Sequence, residues 1–377
     1  MPTLRVILDQ MIAPVPGGIG RYTEELTQGL IDTAPAGCTV AGMLSASTDA
    51  DLRNVSARLP GLDGIDRATL PRKALQAMWQ FGLTDLHGQG MVHATSLFGP
   101  LTRHDHDGGD QIVVTIHDAV PWTHPETLTR HGASWHRTMA SRAQKFADAI
   151  VVPTQTVAQQ LSEILDFGDR VRVIGGAVST KLVVPADADI RAAALGLPAE
   201  FILSVGTLEP RKGIAALIRS LAVPESVDLP LLIVGPPGWG TLDVGAIAAE
   251  AGVASDRVRT LGFLSDADLA IALDRASVFV FPSLAEGFGL PIIEAFHFGT
   301  PVVHSDDPAL LEVSGGAGLG VALENPEEYP RRLASAIASV VSDSTMAQRM
   351  RASGLERARS FSWAASAEKV WRLHADL

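Results

Sequence analysis

Four short segments combine residue types that do chemistry when they share a site. Pro282-Ser283-Leu284-Ala285-Glu286-Gly287-Phe288-Gly289-Leu290-Pro291-Ile292-Ile293-Glu294-Ala295 carries two carboxylates, one in a glycine-rich turn and one about a turn inside an apolar helical stretch. Free N–H groups in such a turn bond sugar hydroxyls. Glu294, costly to bury alone, needs a polar partner such as ribose hydroxyls or, structurally, a salt bridge. In Gly206-Thr207-Leu208-Glu209-Pro210-Arg211-Lys212-Gly213, Arg211 and Lys212 stand at what reads as a helix N-terminus, an end already partly positive. A bound diphosphate supplies the missing negative charge, taking a fork from arginine and a point charge from lysine; the plain alternative is an exposed basic pair. Pro16-Gly17-Gly18-Ile19-Gly20-Arg21-Tyr22 puts glycines just before a helix, where backbone N–H groups approach a phosphate. It is neither G-x-G-x-x-G nor a P-loop, and a simple strand-to-helix connection reads the same way. His117-Asp118-Ala119-Val120-Pro121-Trp122, then His124-Pro125-Glu126, offers an imidazole that can donate to a hydroxyl or accept a proton. Asp118 either orients that ring or caps the following loop. A metal site drawn from His117, His124 and Glu126 lacks helical histidine spacing.

The elements that must hold these segments alternate throughout. Strands are expected at Leu4–Asp9, Thr39–Leu44, Met91–Ala94, Ile112–His117, Ala149–Pro153 and Val171–Ile174, then at Phe201–Val205, Leu231–Val234, Val258–Leu261, Val278–Phe281 and Pro301–His304. Amphipathic stretches such as Arg21–Thr33, Leu128–Ala147, Asp266–Leu273 and Pro330–Val341 separate them, the pattern of βαβ units in parallel sheets. Each chemical segment follows a strand, where open α/β sheets bind ligands. Gly175–Pro198, with its paired glycines and prolines, breaks the rhythm and reads as a linker. The expected domains are therefore 1–185, joined by the helical segment 361–377, and 186–360, facing each other across a cleft. Residues 50–70 are weakly patterned and read as loop.

With 377 residues, 46% hydrophobic and 19% charged, the chain is long enough for two cores and is not disordered. Its 30 basic and 42 acidic side chains give a net charge of −12, without the basic run that nucleic-acid binding needs. The single Cys38 excludes a disulfide framework or cysteine-based zinc site. No secretory signal and no membrane-spanning stretch is read, so a soluble, cytoplasmic protein is expected. Leu70–Phe81, with Arg72, Lys73, Leu75, Met78, Trp79 and Phe81, is either a peripheral patch at the inner face of the plasma membrane or a buried helix face.

Glu286 and Glu294, with seven residues between them, resemble the E-x7-E signature of the retaining GT-B glycosyltransferases. The resemblance extends to Gly17-Gly18-Ile19-Gly20, His117-Asp118, Val205–Gly213 and Leu261-Gly262-Phe263-Leu264-Ser265-Asp266, in the family's order and over nearly the whole chain. The His-Asp-x-x-Pro loop and the Thr-Leu-Glu-Pro-Arg-Lys wording look most like bacterial mannosyltransferases of surface polysaccharide or glycolipid assembly. It implies a GT-B fold of two Rossmann-like domains, with the last helix crossing back to the first. It also implies a nucleotide-sugar donor, GDP-mannose, and a glycan or lipid-linked glycan acceptor. Gly17 and Gly18 then face the donor diphosphate, and Arg211 and Lys212, after Gly206, grip it. Glu286 with Gly287, Phe288, Gly289 and Leu290 holds the sugar, Glu294 the ribose, and the backbone at Phe263 and Leu264 the base. His117 lies beside the sugar.

In that reading Arg211 and Lys212 stabilise the departing diphosphate, with no cofactor and no metal, and retention follows from front-face attack. Another sugar-nucleotide donor, or a sugar-nucleotide epimerase, is the alternative. A nicotinamide dehydrogenase lacks its glycine fingerprint here.

Overall fold

Val278-Phe279-Val280-Phe281 is apolar on both faces of the pleat, so it needs a sheet covered on both sides. All four residues are buried in a parallel strand of such a sheet. The computed structural model describes residues 2–14, 17–83, 90–105, 107–238 and 242–377; Pro16 of the first glycine turn lies outside them. The chain forms two compact units, residues 1–176 with 362–377 and residues 177–361.

In the first unit, β1 (Thr3–Ile7), β2 (Thr39–Leu44), β3 (Ile65–Arg67), β4 (Met91–Ala94), β5 (Gln111–Thr115), β6 (Ala149–Val152) and β7 (Val171–Val173) make a parallel sheet. Their order is β3-β2-β1-β4-β5-β6-β7. In the second, β8 (Ile202–Val205), β9 (Leu231–Val234), β10 (Val258–Gly262), β11 (Val278–Phe281), β12 (Val302–Ser305) and β13 (Leu319–Val321) run β10-β9-β8-β11-β12-β13. Strand order reverses between β1 and β4 and between β8 and β11. Such a reversal opens a crevice outside the strands' carboxyl ends.

Two expectations need correction. The second unit begins at Ala177 rather than 186, because Leu182 is buried in its core and Val178 packs against it. Residues 50–70 are not loop: Asp49–Arg58 is helical and Ile65–Arg67 is an edge strand. The helix buries only Val55 and is held by a reciprocal cap between Thr48 and Asp51 instead. The helix Arg72–Phe81 turns Leu75 and Trp79 into the first core, and the Arg72 guanidinium lies 5.1 Å over Phe98. Lys73 and Phe81 stay exposed on the same helix, and Arg72 and Met78 are half-buried. Among the described residues no helix is long and apolar enough to cross a membrane.

The helix Trp363–Asp376 returns to the first unit and packs on the helix Gly17–Asp32. Trp371 Nε1 donates to the Leu30 carbonyl at 3.0 Å and Ser366 to the Gly175 carbonyl at 2.7 Å. It also buries His374, whose ring centroid lies 5.8 Å from that of His93 on β4. Burial pushes His93 down to about 3, with His374 adding, and His374 down to about 4 against the pull of Asp148. Both rings are neutral in the fold and charge near pH 6.5 once unfolded. The unfolded state therefore takes up protons first, and stability falls as pH drops below 6.5 toward those folded values. At about pH 4.5 each histidine costs on the order of 2–3 kcal/mol. Asp307 in the second unit, pushed up to about 6, titrates in the opposite sense. Melting curves from pH 7 to 4.5 should show the first unit loosening, with a shallower slope in His374→Asn. Equal slopes would clear the pair.

Candidate functional site

After β8 the chain runs through Gly206 into a single 3-10 turn, Pro210–Lys212, and then left-handed Gly213 (φ 67°) before the helix Ile214–Ser220. Arg211 and Lys212 therefore sit one turn ahead of the helix. Any side chain at 213 is excluded, since a Cβ there would lie 2.0 Å from the Pro282 carbonyl oxygen. That contact presses the loop after β11 onto the loop after β8, the two strands flanking the reversal. Leu284 N–H and Ser283 Oγ both donate to the Arg211 carbonyl, at 2.8 and 3.2 Å.

The apposition joins charges 74 residues apart in sequence. Lys212 Nζ reaches Glu286 Oε1 at 2.5 Å and Arg211 Nη1 reaches Oε2 at 3.1 Å. Arg211 Nη1 also donates to the Ala285 carbonyl at 2.5 Å, and Ser283 Oγ donates to Glu286 Oε1 at 2.6 Å. The Lys212 ammonium lies 5.3 Å over the Phe281 ring. All three charged side chains are largely buried. Burial alone would raise the Glu286 carboxyl, but Arg211 and Lys212 outweigh it and hold it at about 2. Burial pulls the Lys212 ammonium down, with Glu286 opposing. The site is a preformed cluster of two cations and a carboxylate, able to take a dianionic group on one side and hydroxyls on the other.

Around it, Gly287 and Phe288 complete the turn, Gly289 caps the helix Leu290–His297, and Glu294 is buried one turn inside that helix. Gly206 lies under the Lys212 methylenes. Asp307, beside Glu286, accepts from the Ala309 and Leu310 amides at 3.0 and 3.2 Å. Its carboxyl is pushed up to about 6, chiefly by burial, with the Glu286 charge adding. Phe263 and Leu264 follow β10, two strands from β8. Phe263 is 80% exposed, whereas the Leu264 side chain is in the core, so only its backbone faces outward chemistry.

In the first unit, Gly17 and Gly18 open the helix Gly17–Asp32, exposed at its N-terminus. A Cβ at either would meet nothing within 4 Å. Gly18→Ala should therefore leave stability unchanged or raise it by up to about 1 kcal/mol. If the amides there face the donor, the same methyl should weaken sugar-nucleotide binding by about tenfold in a calorimetric titration. Unchanged binding would make the turn a plain connection.

His117 Nε2 lies 2.7 Å from the Thr95 carbonyl, so that nitrogen donates and Nδ1 is the acceptor. Burial lowers its pKa, with the Thr95 bond and Asp118 opposing, which favours a neutral ring. Tyr22 meets the ring edge-on, centroids 4.9 Å apart. Asp118 does not hold the ring: its carboxylate accepts from the Val120 amide at 3.0 Å and caps the loop. His124 bonds Thr123 Oγ1 at the surface, and among the described residues no three His, Cys, Asp or Glu side chains are grouped to hold a metal.

Sequence reasoning did not single out Ser283, Phe281, Thr95, Tyr22 or Asp307. Ser283 stands three residues before Glu286, a spacing that could have flagged it; the Thr95 carbonyl, a backbone group, leaves no signal.

The twin parallel sheets, each reversing its strand order, are the two Rossmann-like domains of the GT-B fold. Residues 187–357 match the family of glycosyl transferases group 1 and residues 16–182 glycosyltransferase family 4, and the chain belongs to these glycosyltransferases. It is 31% identical over 266 residues, 67% of each chain, to O-antigen chain mannosyltransferase B of Escherichia coli. It is likewise 31% identical over 230 residues to the serotype-specific mannosyltransferase WbdA of Escherichia coli, covering 59% of this chain but only 28% of that one. It thus spans little more than a quarter of that relative. Among solved structures, sucrose-phosphate synthase from Thermosynechococcus elongatus superposes with a TM-score of 0.75 at 24% identity, over 100% of this chain and 99% of that one. HepE of Anabaena, in complex with UDP and glucose, gives 0.76 at 17% identity over the whole of both chains. These two share the fold.

Proposed function

We propose that the protein moves mannose from GDP-mannose to a glycan or glycolipid acceptor, with retention at the anomeric carbon and without a metal. The observation that carries this reading is the Arg211–Lys212–Glu286 cluster at the β8/β11 reversal. Arg211 and Lys212 face the diphosphate, whose negative charge grows as its bond to C1 breaks, so they stabilise the transition state more than the bound donor. Glu286 and the turn Gly287–Leu290 accept and donate to sugar hydroxyls, Glu294 bonds the ribose, and Phe263 stacks on the base while the Leu264 backbone reads its edge. His117, neutral with Nδ1 as acceptor, accepts a hydrogen bond from a sugar hydroxyl without competing for charge. The acceptor oxygen attacks C1 from the face the diphosphate leaves, and a phosphate oxygen takes its proton. Mannose is supported by the names of the relatives, which include mannosyltransferases from Escherichia coli and Mycolicibacterium hassiacum.

A thermal-shift panel of GDP-mannose, UDP-glucose and other sugar nucleotides tests the donor. A ligand at 100 times its dissociation constant stabilises by about 2.7 kcal/mol. GDP-mannose should stand out, and its turnover should survive a chelator. A larger shift with a UDP-hexose reassigns the donor. Donor epimerised with no transfer to any acceptor overturns the transferase reading.

A further inference from the structure

Phe361 ends the second unit and Trp363 begins the C-terminal helix of the first, so only Ser362 separates two aromatic side chains. Each leans on a residue of the proposed site within its own unit. Phe361 meets Phe288 edge-to-face, centroids 5.6 Å apart at 89°. The Arg357 guanidinium covers Phe361 at 4.8 Å and is itself anchored by the Val313 and Glu312 carbonyls, each at 2.8 Å. Phe361 is thus held on a fixed support against the glycine-rich turn that follows Glu286. Trp363, 7% exposed, meets Tyr22 with centroids 5.6 Å apart at 68°. Tyr22, 4% exposed, meets His117 edge-on at 4.9 Å and 89°. Ser362 fixes where the helix starts by accepting from the Ala365 amide at 3.4 Å.

We propose that Phe361 and Trp363 are positioning residues for glycosyl transfer, Phe361 setting the Phe288 turn and Trp363 setting the His117 ring through Tyr22. The inference rests on the function proposed above. One hydrogen bond, from Nε2 to Thr95, fixes where the imidazole is tethered but not its tilt; the Tyr22 edge fixes the tilt, and Trp363 backs Tyr22. Phe288 packs against the second unit's core, and Phe361 meets its ring edge-on there, between the flexible Gly287 and Gly289. A group misplaced by about 1 Å can lose about a hundredfold in rate. The residues on either side of Ser362 therefore each set one group of the proposed site within its own unit.

The test uses the full chain with GDP-mannose and GDP as probes. It reads donor cleavage, calorimetric affinity, melting temperature and the histidine ring signals by NMR, with the His117 signal identified by its loss in His117→Asn. Trp363→Leu should shift that signal and lower kcat about tenfold, with affinity for GDP unchanged. Trp363→Phe should restore both. Phe361→Leu should leave the His117 signal in place and raise KM for GDP-mannose about fivefold, leaving GDP, which lacks the transferred hexose, unaffected. Phe361→Tyr should restore KM. The proposal is overturned if Trp363→Leu melts earlier yet keeps its His117 signal and kcat, or if Phe361→Leu weakens GDP and GDP-mannose alike. Should the wild-type protein neither bind nor cleave GDP-mannose or UDP-glucose, the functional reading fails on its own. The His117 spectrum of Trp363→Leu then decides the positioning link, a shifted signal upholding it and an unmoved one ending it.

Discussion

Replacing Lys212 with alanine is expected to slow glycosyl transfer by about a hundredfold or more, the usual effect of removing a group aimed at transition-state charge. The ammonium is preorganised: its methylenes lie over Gly206, its head over Phe281, and Glu286 fixes its direction. The ammonium is therefore already in place, with Glu286 as its counter-ion, before any diphosphate draws on it. Some stability goes too, because Glu286 is buried and loses one partner while keeping Arg211 and Ser283. A cost of about 1–3 kcal/mol follows from leaving part of a buried acceptor unsatisfied. Initial rates at saturating donor, taken well below the variant's melting temperature, separate the two effects. Near-normal rates in a protein that simply melts earlier would make Lys212 a structural counter-ion.

Glu286→Gln is expected to move two measurements in opposite directions. The carboxylate holds both cations in the free protein, so it competes with any diphosphate that must draw on them. Removing its charge should tighten GDP binding by about tenfold, worth about 1.4 kcal/mol, a fraction of the several kcal/mol that charges this close exchange at an effective dielectric of about 20. Transfer should nonetheless fall by about a hundredfold, since an amide accepts sugar hydroxyls poorly and the product is released more slowly. Calorimetry with GDP beside a rate assay reads both. Weaker GDP binding would show that Glu286 aims the cations rather than competing for them.

Much of this site is legible in the sequence because its strands are short, uncharged and apolar on both faces, so the residues after them had to stand at one end of a sheet. The glycines that open the helix Gly17–Asp32 and the basic pair after β8 were readable for the same reason. Interactions between distant segments were not: nothing local links Lys212 to Glu286, or His117 to the Thr95 carbonyl. Asp118 beside His117 invites a pairing that the chain resolves otherwise, because an aspartate reaches an amide two residues on more easily than its neighbour's ring. Asp49–Arg58 went unread because it buries one side chain and depends on its cap; Thr48 followed three residues later by Asp51 was the available clue. The edge strands β3 and β13, three residues each, are too short for alternation to register.

Gly213 touches Pro282 main chain to main chain, with no room even for a methyl group. The basic and the acidic turns consequently have to fit each other as a pair. A chimaera that imports a relative's version of either turn alone would set a foreign backbone trace against a native one at that point, and its donor pocket would fail before any question of sugar preference arose. Attempts to redirect this enzyme toward other activated sugars are better begun by exchanging both segments together.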